Sequence, residues 1–190
     1  RMHGLQLGAF SSSCAGFDLS AYHVFRDIGG ANCTLPAIVA AANPQLTGVN
    51  FDLPPVAPVA EANLARHGVA DRVAVGVGDF FVDDFPPADV YFMGNILHDW
   101  SEAEKQTLIN KAYAGLPSGG MLVTIENVID DERRTNAFGL LMSLNMLIEL
   151  PAGFDYTGAQ FDRWARAAGF ARTEVRHLAG PTSAAIAHKD

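Results

Sequence analysis

Asp89-Val-Tyr-Phe-Met-Gly-Asn-Ile-Leu-His-Asp-Trp100 is the stretch on which the fold turns. Its first half, Asp89–Gly94, is a short apolar run with the composition of a buried strand. Its second half breaks into polar and aromatic residues, and Ser101-Glu-Ala-Glu104 then has the form of a capping box that opens a helix. A buried strand feeding a capped helix is the unit of a parallel α/β sheet, in which ligands gather beyond the carboxyl ends of the strands. His98 therefore falls where a titratable side chain is placed for chemistry, and it is the first candidate general base. A His that merely helps cap the following helix is the competing reading of the same residues.

The rest of the chain repeats the alternation. Strands are expected at Tyr22–Ile28, Thr47–Phe51, Arg72–Val77, Asp89–Gly94 and Met121–Glu126. Helices are expected at Leu35–Ala42, Val56–His67, Glu102–Leu116, Phe138–Leu150 and Thr157–Ala168, after an opening amphipathic stretch from His3 to Phe17. The tail differs. Thr173–His177 and Ala184–His188 flank an Ala179-Gly180-Pro181 turn too short for a parallel crossover, so the two must pair antiparallel or leave the sheet. The expected architecture is α/β, a doubly wound, mostly parallel sheet with one reversed strand near the C-terminus. The charge run Asp130–Arg134 reads as a solvated loop.

With 190 residues, 49% hydrophobic and 18% charged, the chain can bury one sizeable core. A net charge of −8 without any Lys/Arg cluster argues against a nucleic-acid partner, because nothing is available to displace counterions from phosphates. Two cysteines, Cys14 and Cys33, and six histidines show no disulfide framework and no ligand spacing, so no metal is expected and a reducing cytoplasm is. No apolar run is long enough to span a bilayer, and no basic-then-apolar leader opens the chain. The start at Arg1 reads as mid-helix, which suggests an upstream portion.

The other strand ends carry further candidates. Asp27-Ile-Gly-Gly-Ala-Asn-Cys33 is a small-residue turn where a backbone can approach a ligand closely and a helix N-terminus can meet a carboxylate. Asp52, about 20 residues beyond that turn, is placed to grip ribose hydroxyls. Asp79 beside Phe80 would suit an adenine ring. Each acid taken singly also makes sense as a loop or capping residue.

Taken in order, Asp27–Gly30, Phe51–Pro54, Gly78–Phe81, Leu97–Trp100, Pro117–Gly120 and Ile125–Glu126 resemble the S-adenosylmethionine-dependent O-methyltransferases. The likeness is to the group that includes plant caffeic acid, hydroxyindole and bacterial polyketide O-methyltransferases, and it covers roughly residues 20–190. The resemblance implies a Rossmann-like seven-stranded catalytic domain over 21–190, with 1–20 the end of a linker or N-terminal helical region. It implies S-adenosyl-L-methionine as cofactor, with Gly29 and Gly30 at its amino-acid end, Asp52 at the ribose, Asp79 and Phe80 at the adenine, and Asp27, Leu53 and Asn95 in the same set. His98 would take a proton from the hydroxyl of a small, phenol-like aromatic or polyketide-like acceptor. Glu126 would orient that His, and Asp155 stands where the family usually has Glu. Met142, Asn145 and Met146, with Trp100, would line the acceptor pocket, although a methionine stripe at that spacing is also ordinary core. A homodimer closing each pocket is expected of the complete protein.

Two glycines of the family turn are Ala31 and Cys33 here, making it bulkier. A catalytically silent binding or dimerisation module with the same fold is the alternative this leaves open. A nicotinamide-dependent oxidoreductase would share the turn and the acid but would carry a third glycine in place of Cys33, and the antiparallel tail does not suit it.

Overall fold

The computed structural model describes residues 17–190. The opening stretch from His3 and Cys14 lie outside the described residues, apart from Phe17, which is buried. Strands β1 (Val24–Ile28), β2 (Thr47–Asp52), β3 (Val73–Val77), β4 (Val90–Gly94), β5 (Met121–Glu126), β6 (Arg172–Ala179) and β7 (Thr182–His188) form one sheet in the order β3-β2-β1-β4-β5-β7-β6. All pairings among β1 to β5 are parallel, and β7 alone runs against its two neighbours. The expected single reversed strand is thus present.

Burial on both faces explains the central strands. Every residue of β5 is buried, and in β4 only Gly94 is not, which is why both read as unbroken apolar runs rather than as alternation. One face packs Phe25, Val39, Leu64, Val123 and Ile186, and the other Tyr91, Met93, Leu108, Leu122 and Trp164. The covering helices are α1 (Thr34–Ala42), α2 (Ala57–His67), α3 (Glu102–Gly115), α4 (Ala137–Glu149) and α5 (Gly158–Ala168).

Element boundaries shifted where side chains competed with the ladder. The first strand begins at Val24 and not Tyr22, because the Asp89 carboxylate accepts the amides of His23 and Val24 at 2.9 and 2.8 Å. Pro54 and Pro55 open a tight 3₁₀ turn, Pro54–Val56, so the second helix starts at Ala57. The C-terminal strands are longer than expected, since the hairpin bond continues to Ala179↔Thr182 across a bulge near His177, leaving Gly180-Pro181 as the turn. The capping box at Ser101 and Glu104 is formed, and Thr157 with Gln160 makes a second one at α5.

β1 lies between β2 and β4, so the direction of winding reverses at the β1/β4 pair. At such a switch point the connections leave to opposite faces and open a crevice beyond the strand ends. The crevice here is bounded by the Asp27–Cys33 turn and the loop that carries His98.

Candidate functional site

The glycine turn is held by its neighbours before any ligand is considered. Gly29 has a φ of +72°, and a Cβ there would lie 2.4 Å from Ile96 Cδ1. At Gly30 a Cβ would fall 2.0 Å from Asn50 Oδ1 and 2.2 Å from Asp27 Oδ2, so only glycine fits. Ala31 and Cys33 nevertheless take left-handed conformations, with φ of +45° and +61°. The Asp52 carboxylate fixes the turn, accepting the amides of Ala31 at 2.8 Å and Leu53 at 2.7 Å.

Above this turn is a cavity of about 440 Å³ whose wall includes Asp27, Gly29, Gly30, Asn95, His98 and Met146. Asp27 is 1% exposed and its Oδ1 has no partner, an unusual state for a buried carboxyl oxygen. Burial, reinforced by Asp52, pushes its pKa well above the ordinary carboxylate range. A cationic or hydrogen-donating ligand group would satisfy it. Asp52, Leu53, Asp79 and Phe80 are not part of this wall. Asp79 Oδ1 accepts the amide of Phe81 at 2.8 Å, and the Phe80 ring lies close under Gly29.

His98 sits in the 3₁₀ turn Leu97–Asp99, and it is 3% exposed. The preceding Asn95 makes the bend with a φ of +54°, which Asn tolerates better than most residues. Glu126, at the end of β5, hangs this turn on one oxygen: Oε1 accepts the amides of Ile96 at 3.0 Å and His98 at 3.2 Å. The imidazole itself meets other acids. Its Nδ1 lies 3.3 Å from Asp155 Oδ1 and its Nε2 lies 3.4 Å from Asp99 Oδ1. Burial pushes the imidazole pKa down, but Asp155, Glu126 and Asp99 outweigh it and hold the value up at about 9.

The arrangement differs in one respect from the expectation drawn above. Glu126 bonds the backbone of the His98 turn through Oε1, and Asp155 faces the ring. The Phe154 amide donates to the His98 carbonyl at 2.8 Å and so fixes the Asp155 segment to the same turn. The capping reading of His98 falls away, because Ser101 Oγ and the Glu104 carboxylate supply both cap bonds.

Of the expected acceptor residues, Met146 alone reaches the cavity wall. Asn145 donates to Glu149 at 2.8 Å, and Met142 is half-buried elsewhere on α4. Trp100 packs edge-on against Phe80 and Phe81, with ring centroids 5.8 and 4.6 Å away, and its indole nitrogen is buried without a partner. Asp99, Glu149 and Val59 are wall residues that the sequence reading passed over. Asp99 carried a signal in its place beside His98; the others carried none. A larger cavity of about 560 Å³, lined by Ile129, Asp131, Asn136, His177 and Ser183 among others, shares no residue with this one. Among the described residues no group of His, Cys, Asp and Glu could hold a metal ion.

A sequence model of the O-methyltransferase domain matches residues 9–171. The tetracenomycin polyketide synthesis 8-O-methyl transferase of Streptomyces glaucescens is 37% identical over 183 residues, covering 96% of this chain and 54% of that protein. Among solved structures, mitomycin 7-O-methyltransferase superposes with a TM-score of 0.90 at 30% identity, covering 100% of this chain and 55% of that one. Human N-acetylserotonin methyltransferase, solved in complex with SAM, gives 0.87 at 28% identity, covering 95% of this chain and 51% of that one. The chain spans about half the length of the curated relatives it matches.

Proposed function

Because the chain belongs to the O-methyltransferase domain family, we propose that it is the catalytic part, over residues 21–190, of an enzyme that methylates a hydroxyl of a small aromatic or polyketide-like molecule. The cofactor is S-adenosyl-L-methionine. The observation that carries this reading is a buried imidazole, backed by Asp155, in the wall of a cavity floored by the glycine turn and the unpartnered Asp27 oxygen. That oxygen fits the ammonium of the cofactor's amino-acid end, and it also disfavours a silent fold, in which nothing would reward leaving it bare. Asp27, Gly29, Gly30 and Asn95 would hold the cofactor, with Asp52, Leu53, Asp79 and Phe80 completing its site.

The cofactor supplies a methyl group already activated on a sulfonium. His98 then accepts the acceptor's hydroxyl proton at the ring nitrogen not facing Asp155, Nε2, which Asp99 flanks. Asp155 and Glu126 stabilise the imidazolium that forms, one beside the ring and one through the turn. Met146 bounds the acceptor's side.

The outer face of α4 is apolar, with Leu141, Leu144, Leu147 and Ile148 between 58% and 84% exposed. A patch of that kind on a helix that also borders the cavity suits a subunit contact, and a homodimer closing the pocket is our reading. No helix among the described residues is long and apolar enough to cross a membrane. The buried free thiol of Cys33 is at home in a reducing cytoplasm, where we place the protein.

His98→Gln tests the assignment. It keeps the size and a hydrogen bond but cannot take the proton, so turnover of the complete enzyme with its best phenolic acceptor should fall by at least about 100-fold. Affinity for the cofactor, measured by calorimetry, should hardly change. Wild-type turnover in the variant would end the reading.

A further inference from the structure

Lys105, on the second turn of α3, is fully buried, a rare state for a lysine. Its ammonium donates to the Trp100 carbonyl and stands 3.5 Å from the centroid of the Phe154 ring. Those two partners are the chain neighbours of Asp99 and Asp155, the two acids that flank the His98 ring. The proposed proton transfer makes no direct use of Lys105. Burial of an ammonium without a return in stability is costly, so its location asks for another explanation.

We propose that Lys105 is a positioning residue for His98, clamping the Leu97–Trp100 turn to the Phe154–Asp155 segment so that both carboxylates stay against the imidazole. The inference rests on the assignment of His98 as the base. Without the clamp, the two segments are joined by the Phe154 amide to His98 carbonyl bond, and the distance of the Asp155 carboxylate from the ring is no longer fixed from the α3 side. That side chain meets the ring at 3.3 Å and has no other polar partner to fix that distance. Glu126 would still hold the turn from β5.

The charged groups around the pair are few. His98 faces Asp99 of its own turn, Glu126 of β5 and Asp155 ahead of α5. Lys105 faces the same three and, on α3, Glu102. Glu149 of α4 acts on Asp99, and the Tyr156 hydroxyl on Glu126. Burial lowers the Lys105 ammonium to about 8, below the value of about 9 at which His98 titrates. Loss of the Lys105 charge would by itself raise the His98 pKa, so a fall on its removal reads position and not charge.

The test is Lys105→Met, which keeps the apolar stem and removes the donor, read by NMR titration of the His98 ring in the 190-residue chain. His98→Gln identifies the resonance among the six histidines. The ring pKa should fall by about one unit or more, a tenfold weaker hold on the proton. Amide signals away from residues 97–100 and 153–156 should stay in place. Phe154→Leu, which removes the ring face and keeps the backbone bond, should lower it in the same direction by less, and it decides the matter if the methionine variant fails to fold. A ring pKa that stays within about 0.3 unit of the wild type, or rises, overturns the clamp. This readout does not pass through methyl transfer. In the complete enzyme the acid limb of turnover should move down with the ring pKa; a moved ring pKa without any His98-dependent limb would leave the clamp standing and remove His98 as the base.

Discussion

Asp155→Asn is the substitution that separates holding the base from being the base. Asp155 Oδ1 lies 3.3 Å from His98 Nδ1, and of the groups that raise the imidazole against the downward pull of burial it contributes most. With the imidazole held at about 9, only about one free enzyme in a hundred carries it neutral at pH 7. The wild-type kcat/KM should therefore climb about tenfold per pH unit from neutrality and level off above about pH 9. Asn is isosteric, and the Asp155 amide keeps its bond to Ser143 Oγ, so the fold should persist. The variant should move the limb down toward the ordinary histidine value and lower the plateau by about tenfold or more, because the imidazolium loses its nearest carboxylate. Initial rates with saturating cofactor, from pH 6 to 10, give the profile. Acceptors of different hydroxyl pKa show whether the limb belongs to the enzyme. A limb that does not move in the variant, or that follows the acceptor, refutes the reasoning. The same shift has a stability sign. A folded pKa above the unfolded one stabilises fully below about pH 6.5 and loses that stabilisation as pH rises through about 9, on the order of 3 kcal/mol in all.

Four more outcomes follow from named residues. Asp52→Ala removes the acceptor of two turn amides and should weaken cofactor binding by about 1.5–3 kcal/mol in a calorimetric titration. Ala31→Gly should raise the melting temperature slightly, because strain of about 1–2 kcal/mol at φ +45° outweighs the extra freedom of glycine in the unfolded chain, about 0.4–1 kcal/mol. Cys33→Gly should lower it, since the loss of a fully buried side chain, about 1.5 kcal/mol or more, and the extra freedom of glycine, about 0.4–1 kcal/mol, together exceed the strain of about 1–2 kcal/mol relieved at φ +61°. Leu144→Glu with Ile148→Glu should reduce self-association in light scattering without unfolding the chain; unchanged association would place the subunit contact elsewhere.

The parts legible in sequence were those written by burial in one dimension. β5 reads to the residue, Met121–Glu126, because both its faces are covered and its ends are marked by Gly120 and by a change to polar residues. The helix start at Ser101 was equally plain, since a capping box is a local device. The first strand was misjudged by two residues because the competitor for its amides, Asp89, is remote in sequence. His98 and Glu126 announce themselves at strand ends. What each carboxylate meets could not be read there, for it depends on contacts remote in sequence: Glu126 with the turn amides, and Asp155 brought to the ring by the Phe154 and Ser143 bonds. On α4 the periodicity of Met142, Asn145 and Met146 suggested a pocket wall, but the helix turns only Met146 inward and gives its outer side to leucines. Lys105 left no trace at all, as a lysine in an amphipathic helix is normally on the surface.

As the proposed base, an imidazole held near 9 has a chemical logic that an ordinary histidine would lack. A phenol gives up its proton near pKa 10, so transfer to an imidazole at 6.5 runs uphill by more than three units, whereas transfer to one at about 9 is close to level. The gain comes with a loss: the same carboxylates that make the imidazole a stronger base keep it protonated in most molecules at neutral pH. Under that proposal the acceptor decides which side prevails, since a hydroxyl bound beside Nε2 would displace the Asp99 carboxylate that stands 3.4 Å from it. Asp99 is 35% exposed in its side chain while Asp155 is 1% exposed, so the first can turn out to solvent and the second cannot. Moving Asp99 away removes one of the three acids that hold the proton and leaves the other two in place. An acceptor that enters the cavity would thus lower the hold on the proton at the moment the neutral imidazole is needed. Asp99→Asn, which never has that hold to release, should then show a lower acid limb in free enzyme and a smaller difference between the limbs of kcat/KM and kcat than the wild type shows.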